Sequence, residues 1–241
     1  NIAVTGTNGK TPAAKLIEQV MLGAQRETRF AGKVDCPIGD VVGESKELDY
    51  LILALNSFQL ELTQFFSTTV AVLTNIAPDH MDHYGSIAGY VKAKARIFAN
   101  QQPFDWAIVQ SEALAQIRSL GIEIPSKIIT FSVNNRRADI SLDRGLIVSR
   151  VPGWEGPLMD FTKCQLQGAH NAEILMAALA VGRVFRVPLE QSTEVLRSHP
   201  ALPHRCELVV MRNGVSYIND SRSTNLAALE KSLSSMKPGP E

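Results

Sequence analysis

The residues best suited to chemistry lie near the start of the chain, in the segment Thr5-Gly6-Thr7-Asn8-Gly9-Lys10-Thr11. The apolar run Ile2-Ala3-Val4 precedes this segment, and a helical pattern from Ala13 to Leu22 follows it. A glycine loop between a strand and a helix presents N–H groups to anionic oxygens, a lysine neutralises charge, and a threonine hydroxyl can bind Mg²⁺. The segment therefore predicts a loop that binds nucleotide phosphates, hereafter the phosphate loop, with binding residues Thr7, Asn8, Gly9, Lys10 and Thr11.

A second polar segment, Asn75 to His83, directly follows an apolar run that predicts a strand. It contains two aspartates and two histidines. In an open α/β sheet, ligands bind at the carboxyl ends of the strands. These side chains could bind a metal or a phosphate-bound Mg²⁺. A polar loop in which His80 caps a helix explains the segment equally well, and both interpretations stay open.

Three further groups are ambiguous when each is considered alone. Lys92 and Lys94 lie two apart on a predicted helix, so their side chains point in different directions and one could face a site while the other is solvated. Asn171, which follows Gly168-Ala169-His170, could bind a nucleotide or only cap a helix. Arg205 could pair with a phosphate in a fork geometry. Each group alone is more often structural than functional.

These groups need a scaffold, and the pattern of apolar residues supplies one. Continuous apolar runs predict strands buried on both faces at residues 50–55, 70–74 and 106–109. Helical patterns at 87–100 and 112–120 alternate with these strands. The alternation predicts an α/β fold, with a mainly parallel sheet of the phosphate-loop type flanked by helices.

The second half of the chain changes character. Residues 138–168 predict a small antiparallel addition to the sheet. Asn213-Gly214 between two apolar runs predicts a type I′ hairpin, and Thr224 or Asn225 is expected to cap the helix that follows. Helices are predicted at residues 171–185, 189–197 and 226–236. A proline-rich hinge at 199–203 divides the chain into a domain at 1–203 and the start of an α/β domain at 204–241.

The composition excludes several classes of function. The chain has 24 basic and 24 acidic residues, so the positive patch of a nucleic-acid-binding protein is absent. Its three cysteines are far apart, which suggests neither a disulfide framework nor a zinc site. No apolar run is long enough to span a bilayer. We expect a cytoplasmic monomer, and an internal segment of a longer protein because the chain opens on a strand without a start methionine.

Taken together and in this order, the motifs resemble the Mur ligase family, and above all its D-glutamate-adding branch. The phosphate loop has the family's shortened form rather than the common G-x-x-x-x-G-K-[ST] pattern. Further segments that match the family are Ser57 to Glu61, Asn75 to Tyr84, Lys92 to Phe98, Gly168 to Asn171, Leu202 to Glu207 and Ile218 to Asn225. The resemblance covers nearly the whole chain.

The resemblance implies a three-domain ligase. This chain would hold the central ATP-binding domain and the start of the C-terminal ligase domain, and a UDP-substrate domain would precede Asn1. The implied reaction is ATP-driven amide formation. The carboxylate of UDP-N-acetylmuramoyl-L-alanine becomes an acyl phosphate, from which the amine of D-glutamate displaces phosphate.

The resemblance also implies roles for individual residues. Lys10 would hold phosphates, and Thr11 and His80 would hold Mg²⁺. Lys94 matches a lysine that the family carbamylates, which would make it a third metal ligand. The implied catalytic residues are Lys10, His80 and Lys94. The implied nucleotide contacts after the phosphate loop are Asn171, Arg205 and Asp220. The implied substrate contacts are Lys33, Ser57, Arg222 and Thr224.

Several departures from the family pattern fall on these roles. Ala54 stands where the family has a glutamate that binds metal. Asn56 would face the same side as Ala54 if both lay in one strand, and its amide oxygen could then serve as a weaker, uncharged ligand. The other departures are at Pro12, Lys33, Ile174 and Arg222. Three hypotheses follow: an active ligase, a paralogue that binds nucleotide with little or no catalysis, and a ligase with an altered substrate.

Overall fold

The computed structural model describes residues 1–32, 36–200 and 203–235 of the 241-residue chain. The strands are β1 (Ile2–Thr5), β2 (Thr28–Ala31), β3 (Tyr50–Ala54), β4 (Val70–Leu73), β5 (Trp106–Gln110), β6 (Lys127–Ser132), β7 (Ile140–Asp143), β8 (Leu146–Ser149), β9 (Gly156–Asp160), β10 (Glu207–Arg212) and β11 (Val215–Asn219). The helices are α1 (Lys10–Gly23), α2 (Ile38–Val41), α3 (Ser57–Glu61), α4 (Met81–Tyr84), α5 (Ile87–Ala95), α6 (Ser111–Ser119), α7 (Ala169–Val184), α8 (Leu189–Ser198) and α9 (Leu226–Ser235).

The main sheet has nine strands in the order β2-β3-β1-β4-β5-β6-β7-β8-β9. The pairs from β2 to β7 are parallel, and β8 and β9 add antiparallel strands. This topology confirms the α/β fold and the antiparallel addition that the sequence predicts. The chain fills one side of β1 with β2 and β3 and then crosses to β4 on the other side. The carboxyl ends of β1 and β4 therefore flank a crevice of the kind that binds ligands.

The central strands are buried because a hydrophobic core covers each face of the sheet. Successive side chains of a strand point to opposite faces. Ile2 and Val4 pack into a core shared with α1, α7 and α8, whereas Ala3 packs into a second core with α3, α5 and α6. All residues of β1 and β4 are buried. Their apolar runs therefore determine that both strands lie in the middle of the sheet.

Helix α7 packs against α1 and α8 in the larger of the two cores. Its residues from Ala172 to Gly182 are buried without interruption, as expected for a helix that is apolar all round. Small residues let α7 approach α1 and α8 closely. A Cβ on Gly182 would lie 2.9 Å from Oγ of Ser192 and 3.2 Å from Cγ1 of Val20. This packing brings the first turn of α7 to the phosphate loop.

The C-terminal segment forms a separate two-stranded sheet, β10-β11, followed by α9. Asn213 and Gly214 have φ angles of 52° and 77°. Positive φ at both central residues is the requirement of a type I′ turn, so the predicted hairpin is confirmed. The predicted hinge includes residues 201 and 202, and the predicted helix end at 236 lies beyond α9. These three positions are outside the described residues, and the domain boundary near 203 stays a prediction.

Several elements differ from the sequence predictions. Strands β2 and β6 are missing from them because Arg29 interrupts the apolar residues of β2 and Thr130 interrupts those of β6. Helix α3 is five residues long, too short to show a helical period. The helix predicted at 87–100 ends at Ala95 and continues as the 3₁₀ turn Arg96–Phe98. In the part of the chain that the structure covers, no helix has the length and apolar character needed to cross a membrane.

Gly6 provides a test of how tightly the sheet edge is packed. A Cβ on Gly6 would lie 1.9 Å from Oγ1 of Thr74. We expect Gly6→Ala to lower the free energy of unfolding by about 1–3 kcal/mol, because the added methyl forces the ends of β1 and β4 apart. Urea denaturation measures the change. Gly39→Ala is the control, since its Cβ meets no atom within 4 Å; equal stability of the two variants would contradict the prediction.

Candidate functional site

The phosphate loop is a tight turn that ends at the start of α1. Gly9 has a left-handed φ of 79°, and a Cβ on it would lie 3.2 Å from Cδ1 of Ile174. The first N–H groups of a helix have no carbonyl partner within it. The Nζ of Lys10 folds over the turn and donates to the carbonyl oxygens of Gly6 and Thr7, at 3.3 Å each. The loop and the helix end together form an electropositive surface suited to phosphate oxygens.

Hydrogen bonds attach the phosphate loop to the carboxyl end of β4. The N–H of Thr7 donates to the carbonyl oxygen of Asn75 at 3.0 Å, and the N–H of Asn8 donates to Oδ1 of Asn75 at 2.9 Å. In return, Thr74 Oγ1 and Asn75 Nδ2 donate to the carbonyl oxygen of Asn8 at 2.7 and 2.9 Å. These bonds bring the two polar segments of the sequence together at one edge of the sheet.

Tyr90 supports the loop from α5 and is absent from the residues predicted from the sequence. Its hydroxyl lies 3.1 Å from Oγ1 of Thr7. The hydroxyl of Thr7 already donates to the carbonyl oxygen of Ala77, at 3.1 Å, so Tyr90 is the donor to Thr7. Burial raises the pKa of Tyr90 to about 12, which keeps this proton in place. The one signal in the sequence is spacing, because Tyr90 lies one helical turn before Lys94 on the same face.

Lys94 is the member of the lysine pair that faces the loop. It is 1% exposed, whereas Lys92 is exposed, as the spacing of two residues predicts. The Nζ of Lys94 donates to the carbonyl oxygen of Gly6 at 3.0 Å. Burial and the charge of Lys10 lower the pKa of Lys94 well below its ordinary value, with Asp79 opposing the shift. A larger share of Lys94 is therefore the neutral, nucleophilic amine than for a lysine in water.

His80 lies in the loop after β4 with a left-handed φ of 55°. It occupies the N-cap position of α4, as the polar-loop alternative predicts, although its side chain makes no capping hydrogen bond. The imidazole is about half-exposed, with Nε2 3.8 Å from Oδ2 of Asp79. Its ring centroid lies 4.9 Å from that of Phe58. These neighbours hold the imidazole near the loop and leave part of it accessible to a ligand.

A first cavity opens beside the phosphate loop. It is lined by Lys10, Thr11, Gly32, Pro37, Ile38, Ala54, Asn56 and Gln59. The expectation that Asn56 shares a strand with Ala54 is wrong, because β3 ends at Ala54 and Asn56 caps α3. Oδ1 of Asn56 accepts the N–H of Gln59 at 2.8 Å, and Oε1 of Gln59 accepts the N–H of Asn56 at 2.9 Å. This reciprocal capping box fixes Asn56 at the wall of the cavity.

The four predicted substrate residues are less closely tied to the cavities. Ser57 is 1% exposed, and it is not among the residues that line the first cavity. Arg222 and Thr224 are exposed in the turn between β11 and α9. Lys33 lies outside the described residues. Substrate contact by these residues stays a prediction.

A second cavity lies between the phosphate loop, the start of α7 and α9. It brings together five residues predicted from the sequence to bind nucleotide: Asn8, Gly9, Asn171, Arg205 and Asp220. Asn171 does not cap α7, because Gly168 holds the N-cap position. The Nδ2 of Asn171 instead donates to the carbonyl oxygen of Gln167 at 2.7 Å. The capping alternative for Asn171 is therefore wrong, and nucleotide binding by this residue stays a prediction.

Asp220 is held in its charged form at the cavity wall. Oδ2 accepts hydrogen bonds from the hydroxyls of Ser223 and Ser232, at 2.5 Å each, and Oδ1 accepts the N–H of Cys206 at 3.1 Å. Burial acts to raise the pKa of Asp220, but these hydrogen bonds and nearby Arg205 lower it overall. The carboxylate is therefore a fixed negative acceptor beside the cavity.

The polar groups around the phosphate loop fit a nucleotide better than they fit a metal ion that binds without a nucleotide. The phosphate loop separates two cavities and supplies N–H groups and Lys10 between them. Among the residues that the structure covers, no three His, Cys, Asp or Glu side chains converge on one point. Mg²⁺ prefers oxygen ligands and is often bound through substrate phosphates and waters. Thr11 and Asn56 line the first cavity and His80 does not, and metal binding by these residues stays a prediction.

Glu173 is a buried carboxylate of the second cavity that the sequence analysis does not single out. It is 4% exposed, and its Oε1 accepts a hydrogen bond from Nε2 of Gln110 at 3.1 Å. The Nζ of Lys231 on α9 lies 3.7 Å from its Oε2. Burial raises the pKa of Glu173, although Lys231 opposes the shift. The one signal in the sequence is a lone acidic residue within the otherwise apolar α7.

The raised pKa of Glu173 predicts a pH effect on stability. The folded protein binds the proton of the Glu173 carboxyl more tightly than the unfolded chain does. The stability that this proton contributes is therefore complete below the ordinary glutamate pKa of 4.5 and is lost as pH rises through the folded pKa. We expect Glu173→Gln, which cannot titrate, to gain stability relative to wild type as the pH rises through this window. Urea denaturation at a series of pH values measures the gain. Glu190→Gln, at an exposed position of α8, is the control; a constant difference for Glu173→Gln would contradict the prediction.

Known proteins share both the sequence pattern and the fold. The Mur ligase middle domain matches residues 4–182. The UDP-N-acetylmuramoylalanine–D-glutamate ligase of Desulfitobacterium hafniense is 35% identical over 233 residues, which are 96% of this chain and 51% of that protein. The chain thus spans about half the length of the curated relatives it matches.

Solved structures of the same family superpose on the fold. A MurF crystal structure from Acinetobacter baumannii has a TM-score of 0.75 at 20% identity and covers 98% of this chain and 54% of its own. MurF ligase from Thermotoga maritima, solved in complex with ADP, has a TM-score of 0.72 at 15% identity, with coverage of 97% and 56%. At these identities the structures show the shared fold. Because the family domain matches most of its length, the chain belongs to the Mur ligase family.

Proposed function

We propose that this chain is the ATP-binding part of a ligase that adds D-glutamate to UDP-N-acetylmuramoyl-L-alanine in peptidoglycan precursor synthesis. The observation that carries the proposal is the convergence of Lys10, Lys94 and the first turn of α1 on one loop between two cavities. The identity to a D-glutamate ligase supports the choice of substrate. The carboxylate of the UDP-substrate would accept the terminal phosphoryl group of ATP, and the amine of D-glutamate would then displace phosphate.

The residues of the phosphate loop would act mainly by position and charge. Lys10 and the N–H groups of α1 would stabilise the negative charge that spreads over the transferred phosphoryl group. Bound Mg²⁺ would neutralise charge on the phosphate oxygens. Thr11 and His80 are the side chains that we infer would hold it. Asn171, Arg205 and Asp220 would hold the remainder of the nucleotide in the second cavity.

The environment of Lys94 supports its carbamylation. Its neutral amine would attack the carbon of CO₂ and lose a proton, which gives an anionic carbamate. Burial and the charge of Lys10 favour the neutral amine, because both lower the pKa of Lys94. A carbamate would also place an anion beside the charge of Lys10. We propose that it serves as an oxygen ligand for Mg²⁺ in place of an amine that cannot bind one.

Phosphate release from ATP by the full-length protein tests the ligase function. We expect release to require both UDP-N-acetylmuramoyl-L-alanine and D-glutamate, and L-glutamate to be inactive. Lys10→Met should lower turnover by about 10²-fold or more, because it removes a charge aimed at the reacting phosphoryl group. Nucleotide binding without turnover would instead support a non-catalytic paralogue.

The paralogue is the second candidate function, and one observation favours it. Ala54 presents a methyl group to the first cavity, beside Lys10 and Thr11, where the family has a glutamate. Without that carboxylate, fewer protein oxygens can reach Mg²⁺. Such a protein would bind ATP and form amide slowly or not at all. A ligase with an altered substrate is the third hypothesis, which rests on Lys33.

Ala54→Glu distinguishes a weakened site from one rebuilt for another task. Residue 54 borders the first cavity, so an added carboxylate can face Thr11. We expect Mg²⁺ affinity in the presence of ADP to rise about fivefold or more, because one charge–charge contact at 4 Å contributes about 1 kcal/mol even in water. Titration calorimetry measures it, and Ala54→Gln controls for size. If the two variants behave alike, the missing carboxylate does not limit the site.

A further inference from the structure

Asn225 joins the C-terminal segment to the phosphate loop. It immediately precedes α9, and its Oδ1 accepts the N–H of Ala228 at 2.9 Å, which is one of the two helix caps predicted from the sequence. The same oxygen accepts a hydrogen bond from Nδ2 of Asn8 at 3.2 Å. Its Nδ2 donates to Oδ1 of Asn8 at 3.1 Å and to Oδ2 of Asp79 at 3.2 Å. An asparagine amide offers two acceptor sites and two donor protons, so Asn225 uses all four.

These partners require an amide in one orientation. A 180° rotation would point Nδ2 at the N–H of Ala228 and Oδ1 at the carboxylate of Asp79, which replaces two attractions by repulsions. Aspartate at position 225 would lack both donor protons. Serine would still cap the helix, but its shorter side chain could not span to Asn8. The capping role and the bridging role can therefore be separated by substitution.

Asn8 is the partner that makes this bridge important for the phosphate loop. Its N–H and carbonyl groups bond to Thr74 and Asn75 at the end of β4. Its side chain bonds to Asn225 in a reciprocal amide pair. The polar groups of Asn8 are thus engaged with the protein, and they shape the loop while the following residues face the anion. Asn8 therefore has a supporting role in the shape of the loop, and its direct contact with a nucleotide stays a prediction.

A second contact connects the same two parts of the chain. Lys231 on α9 lies 3.7 Å from the buried carboxylate of Glu173 on α7. Both residues line the second cavity together with Asn8. One wall of the cavity therefore belongs to the main sheet and its helices, and the other belongs to α9. A ligand in this cavity contacts both walls, so its affinity depends on how the walls are held together.

We propose that Asn225 is a positioning residue for nucleotide binding. Its amide pair with Asn8 holds the phosphate loop in the anion-binding shape when α9 lies against the second cavity. The proposal rests on the proposed nucleotide site and extends it to a residue outside the phosphate loop. Nucleotide affinity then depends on a side chain whose four hydrogen bonds all go to protein groups.

A double-mutant cycle in the full-length protein tests the proposal. The variants are Asn8→Ser, Asn225→Ser and the double variant, and the probe is ADP with Mg²⁺, measured by titration calorimetry. Each single variant should weaken binding roughly three- to tenfold, which corresponds to the lower part of the coupling range for residues in contact. The double variant should bind no more weakly than the weaker single variant, because both substitutions remove the same amide pair.

Asn219→Ser is the matched control. Asn219 lies on β11, and its Nδ2 lies 2.8 Å from Nδ1 of His204 within the same hairpin segment. Its effect should add to that of Asn8→Ser, and thermal unfolding confirms that every variant is folded. Additive effects of Asn8→Ser and Asn225→Ser, or unchanged affinity in either, overturn the proposal.

The outcomes also separate this proposal from the ligase function. Coupled loss of ADP affinity in a protein that forms no amide supports the role of Asn225 and refutes the ligase. If the wild-type protein forms the amide but the effects of the two substitutions are additive, the ligase function stands and the positioning role of Asn225 is refuted. A wild-type protein that fails to bind ADP overturns both.

Discussion

The fold and the site depend on the close approach of the phosphate loop to the carboxyl end of β4. A Cβ on Gly6 has no room beside Thr74, and the backbone of Thr7 is bonded to Asn75. This contact requires that β1 and β4 be neighbours, buried on both faces. Residues 70 positions apart in the chain, such as Thr7 and Ala77, then hydrogen-bond to each other. The phosphate loop can therefore have this shape only because β1 and β4 are neighbours in the sheet.

Electrostatics at this point favours an anion. Lys10 and Lys94 both donate to the carbonyl oxygen of Gly6, so two amines share one acceptor. The burial of Lys94 and then its repulsion by Lys10 disfavour a second positive charge, which is why the pKa of Lys94 is lowered. A phosphate oxygen, or a carbamate on Lys94, would relieve this repulsion. The site is therefore suited to anions before any nucleotide binds.

Family membership and catalytic competence depend on different residues. The phosphate loop, the buried strands and α7 carry the family fold. Their packing tolerates two of the departures, because Pro12 is buried in α1 and Ile174 is buried against Gly9. The first cavity is different, because Ala54 offers no metal-binding oxygen and Asn56 is already part of a capping box. Nucleotide binding and amide formation are therefore separate questions for this chain.

The sequence by itself determined the features that arise from local physics. The phosphate loop follows from glycine torsions and Lys10, the central strands from continuous apolar runs, and the hairpin from Asn213-Gly214. Only the tertiary structure decided that Asn56 caps a helix instead of extending a strand. The spacing left Lys92 and Lys94 open and the resemblance favoured Lys94, which the structure shows in contact with the loop. The tertiary structure alone showed the bonds of Tyr90, Glu173 and Asn225. Their partners are distant in the chain, and desolvation and hydrogen bonding depend on positions that exist only once the sheet and helices have packed.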